Sequence, residues 1–211
     1  MIVQILVDNR NSWYVPFAHK LKENLNKLKH FTSVIHDHSE VKKGDVLCLV
    51  SCEKIFKNLE LNQTNIVVHE SDLPKGKGWS PVSWQVLEGV NKIPVTLFEA
   101  DKDIDSGVIY LKDFIELEGS ELLHEIKTKQ GLITNKLIEK FIASYPDIKG
   151  REQIGKSTFY NKRTPAESEL DINKTIKEQF NLLKIVDNEK YPAYFTINGN
   201  KYTLKIYNNN E

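Results

Sequence analysis

Arginine is scarce in this 211-residue chain: Arg10, Arg151 and Arg163 are the only three among 29 Lys and Arg residues. Twenty-nine acidic residues balance them, so the formal net charge is zero. Proteins that live on the phosphates of a large nucleic acid carry surplus positive charge and use arginine's forked donors to read it. Both features are missing, so no nucleic-acid partner is expected. Cysteine is nearly absent too. Cys48 and Cys52 lie in the apolar run VLCLVSC. Their CxxxC spacing is not that of a CxxC redox pair, so they read as small buried hydrophobes in a reducing compartment. No run approaches 18 apolar residues, so no membrane span is expected. The start, MIVQILVDNR, has no basic stretch and no cleavage site, which predicts a cytoplasmic protein without a signal peptide. What remains, 40% apolar and 27% charged residues in 24.4 kDa, suits one large soluble domain or a domain with a small appendage.

The first half alternates strand and helix signals. Strands are predicted over residues 2–7, 31–35, 46–50 and 66–69, the third with no polar face, as expected of a strand covered on both sides. Ser12 is placed to cap a helix carrying Val15, Phe17, Ala18, Leu21, Leu25 and Leu28 at helical spacing. A short helix is predicted over residues 55–59. Such a rhythm predicts a parallel α/β sheet, in which ligands bind beyond the carboxyl ends of the strands. Two polar clusters fall at such ends: residues 8–13 and residues 69–78.

The middle of the chain changes character. Residues 75–81 are a loop, residues 82–87 start a helix, and residues 94–98 and 108–117 read as strands. Between those strands, EADKDIDSG places Glu99, Asp101, Asp103 and Asp105 within seven residues. A long helix is predicted over residues 120–144, capped by Ser120, with Leu122, Leu123, Ile126, Leu132, Ile133, Leu137, Ile138 and Phe141 as its apolar stripe. Residues 150–170 form a polar loop and residues 172–185 a last helix. Asn198-Gly199-Asn200 is a hairpin signal between two strands. The tail, 208–211, is expected to fray.

His69 at a strand end and Asp105 before Ser106-Gly107 sit on separate loops that can converge, offering a hydrogen-bond donor or acid and a carboxylate. The order V-H-x-S-x-L-P-x-x-x-G-x-S-P (Val68, His69, Ser71, Leu73, Pro74, Gly78, Ser80, Pro81), followed by D-x-D-S-G, resembles the formyltransferases that use 10-formyltetrahydrofolate. The resemblance covers residues 1–115. It continues weakly through Tyr160-Asn161-Lys162-Arg163-Thr164-Pro165, Asp171 and Tyr191-Pro192-Ala193-Tyr194-Phe195. The family's catalytic trio is Asn, His and Asp. His69 and Asp105 match the last two; Val67 stands where the family has Asn. Asn65, two residues earlier on the same strand face, lies about 7 Å away.

The resemblance implies a Rossmann-like α/β formyltransferase fold with a central, mostly parallel sheet, plus a short C-terminal helix and hairpin. It implies a catalytic domain over residues 1–150 and an extension over residues 151–211 packed on it. The implied chemistry is attack of a neutral amine on the formyl carbon of the folate. His69 stabilises the oxyanion of a tetrahedral intermediate, and Asp105 orients His69 or a water and helps remove the amine proton. For the folate the resemblance implies Leu73, Pro74, Gly78, Asp101, Asp103 and Ile104. For the acceptor we take Asn9, Arg10, Trp13, Ser71, Ser80, Tyr160 and Arg163, with Arg10 and Arg163 as diphosphate ligands, or Arg163 in a salt bridge to Asp171. No metal is expected: DKDID lacks the glycine and distal glutamate of a calcium loop, and His36 and His38 find no further ligand.

Three acceptor classes compete. With about 60 residues from the long polar loop onward and no net charge, a tRNA acceptor is not expected. It has Glu70 where glycinamide ribonucleotide enzymes have Pro. The continuation Trp79-Ser80-Pro81-x-x-Trp84 is similar to small sugar N-formyltransferases of the pseudaminic-acid type, whose acceptor is a nucleotide-activated 4-amino sugar. Peptide-synthetase formylation, formyl-folate hydrolysis and an inactive folate- or sugar-binding relic are the alternatives. A homodimer through the C-terminal hairpin edge is an option.

Overall fold

The computed structural model describes residues 1–209. The chain runs β1 (Ile2–Leu6), α1 (Val15–Lys27), β2 (Phe31–Ile35), β3 (Gly44–Leu49), β4 (Asn62–His69), β5 (Lys77–Gly78) and α2 (Pro81–Leu87). It continues through β6 (Lys92–Glu99), β7 (Ile109–Glu116), α3 (Leu123–Ser144), β8 (Phe159–Tyr160), α4 (Phe180–Lys184), β9 (Ala193–Ile197) and β10 (Asn200–Leu204). One six-stranded sheet has the order β2-β1-β3-β4-β6-β7. Its first four strands are parallel; β6 and β7 join antiparallel. The fold is thus the expected α/β architecture with a mostly parallel sheet and a C-terminal hairpin.

Alternation along each strand divides the core. Val3, Ile5, Val46, Cys48 and Ile66 face a layer formed by α1 and α3, where Leu21, Leu25, Ile138 and Phe141 are fully buried. Leu6, Leu47 and Leu49 face the other side, under Ile35, Val41 and Phe56. Burial on both faces explains why β1 and β3 read as unbroken apolar runs.

Helix starts differ from expectation. α1 begins at Val15, with Pro16 in its first turn and no side-chain cap. Ser12 acts one turn earlier, accepting the Tyr14 N–H at 3.3 Å. α3 begins at Leu123 and not at Ser120; Glu125 satisfies the Leu122 N–H at 2.8 Å. Leu132 leaves the apolar stripe and is exposed. Residues 55–58 form no helix, and a 3₁₀ turn at Leu59–Leu61 takes up the end of the predicted segment. The predicted helix over residues 172–185 shrinks to Phe180–Lys184. Asp171, Thr175, Glu178 and Gln179 bond to nearby backbone instead, an alternative that competes with helix formation. Ile172 and Ile176 consequently stay exposed.

The segment after α3 is stitched across the sheet's end. Arg151 bridges Ile109, and β8 pairs in parallel with β5. Ile185 enters the main core, while Leu170, Leu183, Val186 and Ala193 form a small core of their own. The β9–β10 hairpin turns at Asn198 and Gly199, with φ of 51° and 77°, as a type I′ turn requires. The expected fraying of 208–211 falls partly on residues 210 and 211, outside the described residues. Among the described residues, no helix is long and apolar enough to cross a membrane, and no cluster of three His, Cys, Asp or Glu could hold a metal ion.

Candidate active site

Strand order reverses between β1 and β3, and at such a switch point the connections leave in opposite directions and open a crevice. A cleft of about 670 Å³ lies there, around the carboxyl ends of β1, β3 and β4. Because Leu49/Val50 and Val67/Val68 point to opposite faces and all four line it, the cleft straddles the sheet edge. One wall is Phe56, Phe98 and the acidic loop, residues 100–105. The other comes from α1, α2 and α3 through Trp13, Tyr14, Val82, Ile126, Lys127, Gln130 and Thr134.

His69 ends β4 and is buried, 7% exposed. Its Nε2 lies 2.8 Å from the Gly76 carbonyl oxygen, which can only accept, so Nε2 carries the proton. The Asp105 carboxylate stands 3.8 Å from the same nitrogen and accepts the Gly78 N–H at 2.9 Å. Asp105 occupies a left-handed conformation, φ 52°. Gln153, from beyond α3, holds that turn by donating to the Asp105 and Gly107 carbonyls, each at 2.9 Å. At Gly107 a Cβ would collide with the Glu99 carbonyl, so only glycine lets the loop close.

Val67 shares the His69 face and packs against Leu73, Phe98 and Ile109, giving the cleft an apolar floor beside the histidine. Asn65 does not line the cleft. Its amide donates to the Leu59 carbonyl at 2.8 Å, and its side-chain oxygen is buried without a partner.

Besides His69 and Asp105, the cleft brings together Gly78, Asp101, Asp103, Ile104, Trp13 and Ser80 from the residues singled out in the sequence. Leu73 and Pro74 lie buried behind it, and Leu73 supports Val67 and Phe98. Asn9 bonds Glu53 and the Asn11 backbone. Arg10 is exposed, 3.9 Å from Glu40. Ser71 is buried, and its carbonyl accepts from Thr96. Tyr160 stacks on Trp84 and donates to Glu88. Arg163 donates to the Glu167 carbonyl at 3.2 Å, with no ion pair to Asp171 among the described residues. None of these last five lines the cleft.

Sequence reasoning passed over Glu70, Lys127 and Gln130, all of which line it. Glu70 accepts from Gln130 Nε2 at 2.8 Å, and burial pushes its carboxyl up. Lys127 lies 3.7 Å from Asp187, and burial lowers its ammonium. A charged residue ending an apolar strand was a visible signal for Glu70. Lys127 and Gln130 had none, since nothing local says which polar helix residues face a cleft. Asp8 was also missed as a scaffold. Its carboxylate accepts the Glu53 and Lys54 N–H groups at 2.8 and 2.9 Å and meets His38 Nε2 at 3.2 Å, locking the loop after β3 against β1.

An open, mostly parallel α/β sheet with a His–Asp pair in a switch-point cleft defines a protein that binds and handles a small ligand at its strand ends. The formyl transferase family model matches residues 8–135, and the chain belongs to that family, whose enzymes transfer formyl groups. A methionyl-tRNA formyltransferase from Mycoplasma capricolum is 23% identical over 202 residues, 91% of this chain and 63% of the relative. The chain spans roughly half to three-fifths of the length of such curated relatives (48% for two further ones). The solved methionyl-tRNA formyltransferase from Clostridium thermocellum superimposes with a TM-score of 0.80 at 22% identity, covering 100% of this chain and 95% of the other. A 4-N formyltransferase from Francisella tularensis gives 0.71 at 17% identity, covering 97% and 96%.

Proposed function

We propose that this chain moves a formyl group from 10-formyltetrahydrofolate to the amine of a nucleotide-activated amino sugar of the 4-amino-4,6-dideoxy type. The observation that carries this reading is the convergence of His69 and Asp105 in a cleft with two chemically different walls. The wall of Val67, Phe98, Phe56 and the acidic loop suits a flat heterocycle, with apolar contact on its faces and polar edge groups along residues 100–105. Leu73, Pro74 and Gly78 shape that wall, and Asp101, Asp103 and Ile104 border it. When bound, the folate supplies the formyl group.

His69 Nε2–H, held by the Gly76 carbonyl at 2.8 Å, is the donor that turns to the oxygen on which negative charge develops. A buried donor is worth most at that moment. The Asp105 carboxylate stands 3.8 Å from Nε2 and accepts the proton that the amine gives up as its bond to carbon forms. Val67 adds no donor. The acceptor lies against the helical wall, where Trp13 offers a ring and Lys127 and Lys162 offer cations for a diphosphate. Asn9, Arg10, Ser71, Tyr160 and Arg163 act from outside the cleft, holding its loops.

The experiment is mass spectrometry of a UDP-linked 4-amino-4,6-dideoxyhexose incubated with the protein and 10-formyltetrahydrofolate. Gain of one formyl group is expected. Loss of the formyl group to water alone would favour a hydrolase. Formylation of methionyl-tRNA alone would favour the activity named for the sequence relatives. His69→Ala is expected to lower the transfer rate by roughly 100-fold or more; an unchanged rate would overturn the site.

A further inference from the structure

Glu70 follows His69 at the end of β4, so their side chains leave on opposite faces of the sheet. His69 turns toward Asp105 and Gly76, and Glu70 turns toward the helices. Two glutamines from two helices fix it. Gln130 of α3 donates to one carboxylate oxygen at 2.8 Å, and Gln85 of α2 donates to the Glu70 carbonyl at 2.6 Å. The carboxylate lines the helical wall of the cleft. Among the described residues no Lys, Arg or His forms an ion pair with it, and its one side-chain bond comes from a neutral amide. His69 acts on it only through its charge, from the opposite face of the strand, so a half-buried carboxylate held at a cleft wall is left without a bonded counter-charge, which a ligand can supply.

We infer that Glu70 is the anchor for the acceptor's amine, binding it as an ammonium and taking its proton to leave the neutral nucleophile. The inference rests on reading the cleft as a formyl-transfer site and names the chemical class it accepts: a primary amine, not an alcohol of the same shape. In this step an N–H bond of the ammonium breaks and an O–H bond forms on Glu70. The electron pair stays on nitrogen, and the carboxyl later returns its proton to water. Burial raises the proton affinity of Glu70, which favours the transfer. The position also fits: Glu70 lies close enough to feel the charges of His69 and Asp105, so the two faces of the strand end serve one cleft. Gln130 orients the carboxylate and is a positioning residue.

The test compares two probes by isothermal titration calorimetry on the full chain. One is the UDP-linked 4-amino-4,6-dideoxyhexose; the other is its 4-hydroxy counterpart. Wild type is expected to bind the amine roughly 10- to 100-fold more tightly, the range for a charge-assisted hydrogen bond, and Glu70→Gln is expected to erase the difference. Gln130→Leu, which keeps the charge but frees the carboxylate, should narrow it. Tetrahydrofolate affinity and the thermal midpoint report folding, and both are expected to hold in E70Q. A wild type indifferent to the amine, or an E70Q protein that keeps the preference, overturns the inference. Formyl transfer measured on the same samples separates the two readings. Preference lost in E70Q without formyl transfer by wild type upholds the amine anchor and removes the transfer reading. Transfer with an unchanged preference does the reverse.

Discussion

Glu121 shows how a single carboxylate is tuned by its surroundings. It is buried, which by itself disfavours charge, yet it accepts from Lys129 Nζ at 2.6 Å and from the Glu118 and Gly119 N–H groups at 2.8 and 2.9 Å. These donors win and bring its carboxyl down to about 2 from an ordinary 4.5. The folded state therefore binds this proton less readily than the unfolded chain. Its contribution to stability is complete above about pH 4.5 and is lost as pH falls toward about 2. Glu121→Gln is expected to cost about 1–3 kcal/mol at neutral pH and to flatten the slope of urea midpoint against pH in that window. The two thiols illustrate the opposite case. Burial pushes Cys48 and Cys52 up to about 12, so neither supplies a thiolate nucleophile at neutral pH. Both behave as the small hydrophobes their apolar neighbours suggested.

At the scale of elements, the loop after β3 depends on Asp8 more than on its own sequence. Two backbone N–H groups and His38 converge on one carboxylate that is 4% exposed. Asp8→Ala should cost about 1–3 kcal/mol and speed hydrogen exchange at the Glu53 and Lys54 amides. It should also weaken tetrahydrofolate binding, because residues 51–56 line the cleft. α3 carries the helical wall and the inner core together. Phe141 on it is fully buried and meets the Tyr110 ring edge-on at 5.0 Å. Phe141→Ala should lower stability by about 3–5 kcal/mol, read from chemical denaturation, since a cavity at a rigid sheet–helix contact closes poorly. The failed helix over residues 172–185 is equally a lesson at this scale. Its apolar spacing was helical, but Thr175, Asp171 and Gln179 had local backbone partners that cost less chain ordering than a further turn.

On the scale of the whole molecule, distant segments meet at one end of the sheet. The loop after β1 reaches the loop after β3 through Ser12 and Ser51, 2.8 Å apart. Segment 151–160 crosses back to fix the Asp105 turn and to pair β5 with β8. The chain shares a fold with a methionyl-tRNA formyltransferase and a 4-N formyltransferase alike, so the fold by itself does not select the acceptor.

What the chain's own residues settled was periodic or tied to a motif. Two-faced burial makes β1 and β3 continuous apolar runs, Asn198-Gly199 needs positive φ, and the spacing from His69 to Asp105 spells the family pattern. Such signals are local, because neighbours along the chain impose them. Tertiary structure decided everything that depends on which polar side chain meets which cavity. It placed Glu70, Lys127 and Gln130 on one wall, set Asn65 aside to bond the Leu59 carbonyl, and left Arg10 and Arg163 outside. The reason is physical: helix phase, strand-end direction and loop closure are fixed by packing across the sheet, and no short window of sequence contains those contacts.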